Sequence, residues 1–383
     1  MAERAMCVGM LAAVVAATGL AAGQPAYEIV DLGVVDAGDF GVQGFGVSDG
    51  GVACGRTLGV SNVGFTWTAS GGQVVLPNLA SRPFGRANGV NDAGVAVGTG
   101  STTSFGASPL PVMWSSGVVS ELAIPGAETA GRANDVNNLG VAVGSIGGGV
   151  TEFATVFDAG GVPGGSFVIT AATRGGSTMR TAFGVTDGGL VVGIGTDPAK
   201  AARNVGMVYD IATDTAEDIG ALPNRNGAIP FGVSPAGHVV GSSMQNQGSG
   251  VPFVWTSADG MTEIPLPPGA TSGSGRDANS DGWVVGNAGG VFAVPWLWDG
   301  AQTYALQDLI PAGTGWDLNM NTSSSAEGIS EGGVIVGTGV LNGEVRGYAM
   351  IPVVDCVGDT NGDGVLSPAD FACRLFIYSI LRF

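Results

Sequence analysis

Apolar and polar positions follow a ten-residue pattern that returns seven times along this chain. Each copy, termed the repeat motif here, has polar or turn-prone residues at positions three and four, glycine at six and ten, and mostly apolar residues between the glycines. The copies are GVSDGGVACG at 46–55, GVNDAGVAVG at 89–98, DVNNLGVAVG at 135–144, GVTDGGLVVG at 184–193, GVSPAGHVVG at 232–241, DANSDGWVVG at 277–286 and GISEGGVIVG at 328–337. They start 43 to 51 residues apart, a period typical of stacked or radial repeat folds.

The repeat motif predicts a β-hairpin. A short strand leads into it, as at 84–90, and the glycine at position six predicts a turn with φ > 0. Residues such as Asn91 and Asp92 supply turn chemistry just before that glycine. The apolar residues after it, such as 95–97, predict a central strand that is buried on both faces and ends at the second glycine.

Two further strands complete each predicted unit. Twelve to sixteen residues after the motif, a strand carries a large side chain that we expect to pack between adjacent sheets. These side chains are Trp67, Trp114, Phe157, Tyr209, Trp255, Trp298 and Met350. A fourth strand follows, for example at 73–76, 118–124 and 262–266, and often ends at proline, which suits an outer edge.

The two ends of the repeat region complement each other. The seventh unit has no fourth strand after 348–353, whereas residues 27–32 have the fourth-strand pattern with nothing before them. We therefore predict that 27–32 completes the last sheet, which removes exposed sheet ends. The predicted fold is all-β, a seven-bladed β-propeller of four-stranded antiparallel blades closed by the N-terminal strand. An open β-solenoid is the alternative, but it leaves both terminal repeats uncapped and does not explain the orphan strand.

The repeat motif and its surroundings resemble the extracellular HAF-repeat family of bacterial secreted proteins. The similarity covers residues 27–353 and is greatest in DLIPAGTGWDLNMNTSSSAEGISEGGVIVGTGVLNGEVRGYAMIPV near the end. The resemblance implies secretion and a repeat fold. It implies no reaction, because the family has no agreed activity.

Composition narrows the classes of partner. The chain has 69 glycines among 383 residues, which the regular apolar positions assign to turns rather than to disorder. Its net charge of −18, with only 14 Lys and Arg, argues against binding to nucleic acid or to anionic membranes. An acidic surface is compatible with cation sites in a protein outside the cytoplasm.

The first 23 residues have the pattern of an export signal. A short polar start precedes an apolar run at 7–20, and the small residues 21–23 offer a cleavage site. Retention as an N-terminal anchor is the alternative, and no integral membrane domain is predicted after signal removal. The predicted organisation is a signal peptide at 1–23, a propeller at 24–353 and a tail at 354–383. The expected location is extracellular or at the cell surface, with the periplasm as an alternative.

The repeat region itself offers little catalytic chemistry. Ser48 and Ser330 lie in G-x-S-x-G pentapeptides, but both occupy the repeat turn rather than a strand-to-helix elbow. The single histidine, His238, is expected to be a partly buried residue of a blade, and Cys54 a small buried hydrophobe. Trp316 is either a plug over one blade or a stacking platform for a sugar. We assign no catalytic residue.

The tail carries the most specific motif, DTNGDGVLSPAD at 359–370. Oxygen-bearing groups recur with EF-hand-loop spacing, and a glycine holds the sharp turn at position six, which predicts a calcium site. The predicted ligands are Asp359, Asn361, Asp363, the backbone carbonyl of Val365, Ser367 and Asp370.

Aspartate at position twelve and the lack of a preceding helix resemble the dockerin-type loop-helix repeat of secreted bacterial proteins. That resemblance implies a calcium-held loop and docking to a cohesin-like partner, although a dockerin has two such repeats and this chain has one. The half-unit is therefore expected to pair with a second chain, to pack on the propeller, or to be a remnant. Cys356 and Cys373 flank the loop and are predicted to form a disulfide in an exported protein.

Two functional hypotheses follow. The first is a non-enzymatic exported repeat protein that binds protein or carbohydrate at the cell surface or outside the cell and has a calcium-stabilised C-terminal module. The second is a polysaccharide-degrading glycosidase or lyase with a propeller catalytic domain and a dockerin-like tail. A carboxylate pair in the central funnel is the feature that the second hypothesis requires.

Overall fold

The fold is all-β in the computed structural model, which describes residues 24–148, 151–245, 248–289, 293–319 and 321–353. Within these ranges the chain forms 29 strands, numbered β1 to β29 in chain order, and one short 3₁₀ helix, Leu306–Leu309. The predicted signal peptide, the calcium loop with its six ligands, and Cys356 and Cys373 lie outside the described residues.

Five sheets have four antiparallel strands that are joined in chain order. The first contains β6 (Phe84–Val90), β7 (Ala96–Ser101), β8 (Leu110–Ser115) and β9 (Val118–Glu121). The second contains β10 (Gly131–Val136), β11 (Val141–Gly148), β12 (Thr151–Asp158) and β13 (Phe167–Val168). The third contains β14 (Met179–Val185), β15 (Leu190–Asp197), β16 (Lys200–Asp210) and β17 (Thr215–Asp218). The fourth contains β18 (Gly227–Val233), β19 (Val239–Met244), β20 (Gly250–Thr256) and β21 (Gly260–Glu263), and the fifth β22 (Ser272–Ala278), β23 (Val284–Gly289), β24 (Val294–Trp298) and β25 (Thr303–Ala305).

The remaining sheet has nine strands and joins the two ends of the repeat region. One part contains β2 (Gly41–Val47), β3 (Ala53–Leu58), β4 (Gly64–Thr68) and β5 (Gly72–Leu76). The other contains β27 (Ser325–Ile329), β28 (Ile335–Leu341), β29 (Glu344–Pro352) and β1 (Tyr27–Asp31), with the short β26 (Trp316–Asp317) at its edge. A single parallel residue pair, Gly41 with Val345, connects the two parts.

The pairing predicted for the leading strand is confirmed. Strand β1 pairs antiparallel with β29, with Tyr27 opposite Pro352 and Asp31 opposite Tyr348. Tyr27 is 1% exposed, and its ring belongs to a core cluster that includes Trp316 and Tyr348. The start of the repeat region therefore completes the core of its last sheet.

The sheets pack side by side in a series that returns to its beginning. The strand that leads into each repeat motif, termed the first strand, contacts the first strand of the next unit. The contacts run in the order β2, β6, β10, β14, β18, β22 and β27, and β27 contacts β2 again. An open solenoid does not make this last contact, so the alternative prediction of an open row is wrong.

The turn inside each repeat motif has the predicted chemistry. The glycine at position six has φ between 74° and 85° in every copy, as at Gly94. The polar side chain at position three is buried and accepts a hydrogen bond from the backbone N–H at position seven. The donor and acceptor pairs are Val52 and Ser48, Val95 and Asn91, Val141 and Asn137, Leu190 and Thr186, His238 and Ser234, Trp283 and Asn279, and Val334 and Ser330.

Large side chains of the third strands fill the spaces between sheets, as predicted. Trp114 is 1% exposed, packs with Leu76 and Cys54 of the preceding unit, and donates its indole N–H to the carbonyl of Pro77 at 2.7 Å. Cys54 is fully buried, as predicted for a small hydrophobe, and this burial raises the pKa of its thiol to about 12.

Fourth strands differ from the prediction in their bounds. Strand β21 occupies Gly260–Glu263 rather than 262–266, because Gly260 adopts φ 72° and opens the strand early. The chain then reaches Pro265, which cannot donate a ladder hydrogen bond. Strand β9 similarly ends at Glu121 instead of 124.

Candidate functional site

A β-bulge interrupts every first strand at the residue directly before the repeat motif. In each case the pairing with the second strand skips one residue, which leaves the extra side chain outside the ladder. Bulges of this kind re-aim a side chain. The seven bulged residues, termed the bulge ring, are Phe45, Asn88, Asn134, Phe183, Phe231, Arg276 and Glu327.

The glycine at position ten of the repeat motif permits the bulge. At Gly98, an added Cβ would lie 1.9 Å from the carbonyl oxygen of Arg86, two residues before the bulged Asn88. The corresponding distance is 1.9 to 2.2 Å in all seven copies. No side chain fits there, so glycine allows the second strand to approach the distorted first strand closely.

All seven members of the bulge ring line a cavity of about 680 Å³ and also a smaller cavity on its other side. The ring therefore lies between two spaces that are surrounded by the first strands. The large cavity is also lined by Arg56, Arg86 and Arg132. Together with Arg276 of the ring, these residues place four arginines around one space in a chain with only 14 Lys and Arg. We term this space the basic cavity.

Arg86 is the most distinctive side chain of the basic cavity. Its guanidinium carbon lies 3.9 Å from the ring centroid of Phe45, which is a close cation–π contact. Among the described residues Arg86 has no hydrogen bond or ion pair through its side chain. Desolvation, with a contribution from Arg56, lowers the pKa of Arg86 to about 10, so the side chain remains charged at neutral pH.

The other three arginines of the basic cavity have partners. Arg56 donates from Nε to Oε1 of Gln43 at 2.9 Å. Arg132 forms an ion pair with Glu152 at 3.5 Å, and Arg276 forms one with Glu327, also at 3.5 Å. These contacts hold three of the guanidinium groups in place, and Arg86 is the one of the four with no hydrogen bond or ion pair among the described residues.

Amide and aromatic groups complete the bulge ring. Asn88 and Asn134 each donate from Nδ2 to a backbone carbonyl of the next unit, at 2.7 Å in both cases. The Oδ1 atom of Asn88 is buried and has no hydrogen-bond partner among the described residues. Phe183 and Phe231 pack with their ring centroids 5.6 Å apart, and Arg276 lies 4.7 Å above the Phe231 ring. The basic cavity therefore combines cations with flat apolar rings.

A third cavity, which adjoins the smaller cavity on the side away from the bulge ring, is acidic. Asp49, Asp135, Asp187 and Asp277 line this third cavity. Burial raises the pKa of Asp277 to about 7, although its carboxylate accepts hydrogen bonds from the backbone N–H groups of Ala278 and Ile329. Burial, followed by repulsion from Glu331 and other acidic groups, raises the pKa of Asp49 to about 6. The described residues contain no group of three or more His, Cys, Asp or Glu placed to hold a metal ion.

The four repeat-region residues that the sequence offered as candidates for chemistry all have structural roles. The hydroxyls of Ser48 and Ser330 accept the turn hydrogen bonds described above, and both residues are buried. His238 is half-buried and lies 3.1 Å from the hydroxyl of Ser234, in agreement with its predicted role. Trp316 is 8% exposed and meets the Tyr348 ring edge-on at 5.9 Å, so it is a plug and not a sugar platform.

Sequence reasoning missed the bulge ring. A usable signal was present, because the residue before the repeat motif varies between Phe, Asn, Arg and Glu while the motif beside it stays nearly constant. A core position would be uniformly apolar. A variable mixture of aromatic, amide and charged residues at one repeat position indicates a surface that the units share.

Comparison with known proteins supports the fold only. No family model matches the chain, and a sequence search found no similar protein among the curated ones. Similar solved structures include an oligogalacturonate lyase in complex with manganese, with a TM-score of 0.53, 9% identity, and coverage of 86% of this chain and 94% of that chain. A puromycin hydrolase mutant has a TM-score of 0.51 and 12% identity, with coverage of 82% of this chain and 56% of that chain. The structural neighbours are β-propeller proteins, and the chain shares their all-β architecture.

The helix among the described residues is the short 3₁₀ helix Leu306–Leu309. Within the described ranges, no helix has the length and apolar character needed to cross a membrane.

Proposed function

We propose that this protein is an exported, non-enzymatic binding protein that holds an anionic saccharide in the basic cavity. The observation that carries the proposal is Arg86, a charged side chain stacked on Phe45 that has no hydrogen bond or ion pair within the described ranges, in a chain whose net charge is −18. Arg56 and Arg86 repel each other, which costs electrostatic free energy, and a bound anion offsets that cost.

The composition of the basic cavity favours a saccharide over a simple inorganic anion. Guanidinium groups bind carboxylate and sulfate through paired hydrogen bonds. Flat aromatic rings such as Phe45 and Phe231 pack against the C–H faces of sugar rings. A volume of about 680 Å³ is in the range of ordinary small-molecule sites.

The arrangement of the repeat units determines where the basic cavity lies. We propose that the four-stranded units, including the two within the nine-stranded sheet, form seven blades around one channel. The cyclic contacts of the first strands and the pairing of β1 with β29 support this blade count. The basic cavity is then the mouth of the central channel, the usual location of ligand sites in closed β-structures.

The tail at 354–383 has a role separate from saccharide binding. We propose that residues 359–370 bind calcium through Asp359, Asn361, Asp363, Val365, Ser367 and Asp370, and that Cys356 and Cys373 close a disulfide across the loop. The tail would attach the propeller to a cohesin-like partner or a second chain outside the cell. The ligand spacing and the dockerin resemblance support this assignment, and the HAF-repeat resemblance supports a location outside the cell.

Calorimetric titration with galacturonate oligomers tests the saccharide site. The name of the oligogalacturonate lyase suggests this probe, and its carboxylates meet the requirement of the cavity. Arg86→Gln is expected to weaken binding at least about tenfold, since a charged hydrogen bond contributes about 1.5–3 kcal/mol. Arg174→Gln, an exposed arginine outside the cavity, is the matched control and should bind normally. Equal affinities of the wild type and Arg86→Gln would contradict the proposal.

One observation favours the polysaccharide-degrading enzyme as a second candidate. Carboxyl groups of raised pKa, such as Asp277 and Asp49, line the acidic third cavity, and general acids have such pKa values. Incubation with a polysaccharide panel separates the two functions. Release of oligosaccharides by the wild type, but not by Asp277→Asn, would favour the enzyme.

A further inference from the structure

We infer that the loop between β7 and β8 forms a second subsite at the rim of the basic cavity, so that the ligand is an anionic oligosaccharide rather than a single sugar. This inference rests on the proposed function and extends it to the length of the ligand. Its central residue is Phe105.

Phe105 is exposed to an unusual degree. Its side chain is 99% exposed, the largest value among the exposed hydrophobic residues of the described chain. Single exposed apolar residues are common, so the exposure of Phe105 indicates a contact surface only because the residue also lines the basic cavity. Ser104, Phe105 and Gly106 all belong to the lining of the basic cavity. The ring therefore stands at the border of the space that contains Arg86.

Hydrogen bonds hold the loop that carries Phe105. The backbone N–H of Thr102 donates to the carbonyl of Ala107 at 3.0 Å, and that of Gly106 donates to the carbonyl of Thr103, also at 3.0 Å. The hydroxyl of Thr103 accepts a further bond from the N–H of Ala107 at 3.1 Å. A loop that is closed in this way pays little ordering entropy when a ligand contacts its tip.

The surroundings of Phe105 indicate what it binds. An apolar protein segment would require a continuous apolar surface, but the residues on either side of Phe105 in the lining loop are Ser104 and Gly106, and the charged Arg132 lines the same cavity. A single aromatic face with polar neighbours fits one sugar ring, whose C–H groups meet the electron-rich face of phenylalanine. Arg86 lines the same space and fits the carboxylate of an adjacent sugar.

Two other phenylalanines of the described chain are exposed, but neither lines the basic cavity. Phe40 is 73% exposed and donates its backbone N–H to Leu58, which lines the basic cavity. Phe153 is 43% exposed and pairs with Ile146 near the hairpin that joins β11 to β12. Among the exposed phenylalanines of the described chain, Phe105 alone lines the basic cavity, so the subsite is assigned to it.

The test compares ligand length in the full-length protein. Galacturonate, its dimer and its tetramer are titrated into the wild type and into Phe105→Ala by calorimetry. The wild type should bind the tetramer at least about tenfold more tightly than the monomer. Burial of the aromatic side chain of Phe105 against the longer ligand contributes enough binding free energy for a gain in affinity of that size. Phe105→Ala should lose this advantage and keep the monomer affinity, while Phe105→Tyr restores it. Leu139→Ala, which removes an exposed apolar side chain from a repeat turn, is the matched control.

The possible results separate the two claims. If the wild type binds monomer and tetramer equally, or if Phe105→Ala binds all three as the wild type does, the rim subsite is wrong while the Arg86 site stands. If no galacturonate binds to the wild type, the proposed function is wrong and the rim subsite falls with it.

Discussion

The two invariant glycines of the repeat motif should respond differently to the same substitution. Gly94 has φ 74°, and an added Cβ would meet nothing within 4 Å. Alanine at this position costs only the strain of the left-handed conformation, about 1 kcal/mol. At Gly98 the Cβ would lie 1.9 Å from the carbonyl oxygen of Arg86, whereas ordinary contacts begin at 3.4 Å. The neighbouring strand must therefore move by roughly 1.5 Å, which follows from those two distances.

Backbone displacement of that size disturbs the bulge and the ladder beside it. We expect Gly98→Ala to cost about 3 kcal/mol or more, the upper range for overpacking. For a domain of this size each kcal/mol changes Tm by about 2 °C. Differential scanning fluorimetry at one heating rate should therefore show Tm lowered by about 2 °C in Gly94→Ala and by about 6 °C or more in Gly98→Ala. Gly98→Ala should also weaken saccharide binding, because the moving strand carries Arg86.

The reasoning would be refuted if the two variants lost the same Tm, or if Gly94→Ala lost more. If Gly98→Ala is no more destabilising than Gly94→Ala, the close approach does not constrain the fold, and the explanation of the bulge ring fails. Gly51→Ala and Gly55→Ala repeat the comparison in the first unit, where the φ of Gly51 is 81° and the Cβ at Gly55 would lie 2.0 Å from the carbonyl of Gln43.

Three further predictions address other parts of the molecule. A variant that begins at residue 33 should have a lower Tm and aggregate more readily, because β29 loses its edge partner. A synthetic peptide of residues 24–33 should restore the Tm by pairing with β29. A Tm that the peptide leaves unchanged would contradict this prediction. The pKa of Asp49 is raised to about 6, so the wild type should lose stability as pH rises from about 4 through 6, and Asp49→Asn should show a smaller fall of Tm over this window; parallel Tm curves would refute this. The double variant Asp359→Ala with Asp363→Ala should abolish calcium binding in calorimetry, and unchanged binding would count against the assigned loop.

Local sequence chemistry predicted the elements of the fold well. The glycine at position six, the polar residue at position three and the apolar central strand each act within a few residues, so their pattern is visible without tertiary structure. The large residue of the third strand was also predictable, because a space between sheets must be filled in every unit. Even the pairing of β1 with β29 followed from a missing strand at one end and an extra one at the other.

The candidate site depended on the tertiary structure. Phe45, Asn88, Arg276 and Glu327 share no chemistry and lie far apart in the sequence, so nothing local relates them. They meet because each occupies the same bulge in a first strand, and the first strands contact one another in a cycle.

The glycine at position ten could be recognised from the sequence, but its physical role could not. Its recurrence was evident from the chain, where it marked only the end of a strand. Its physical cause is a backbone carbonyl on another strand that leaves no room for a Cβ. The sequence by itself determined the repeat, its turns and its apolar faces, because these depend on neighbours along the chain. Only the tertiary structure decided that one cavity beside the first strands is basic and another acidic, because that arrangement depends on which units come together around them.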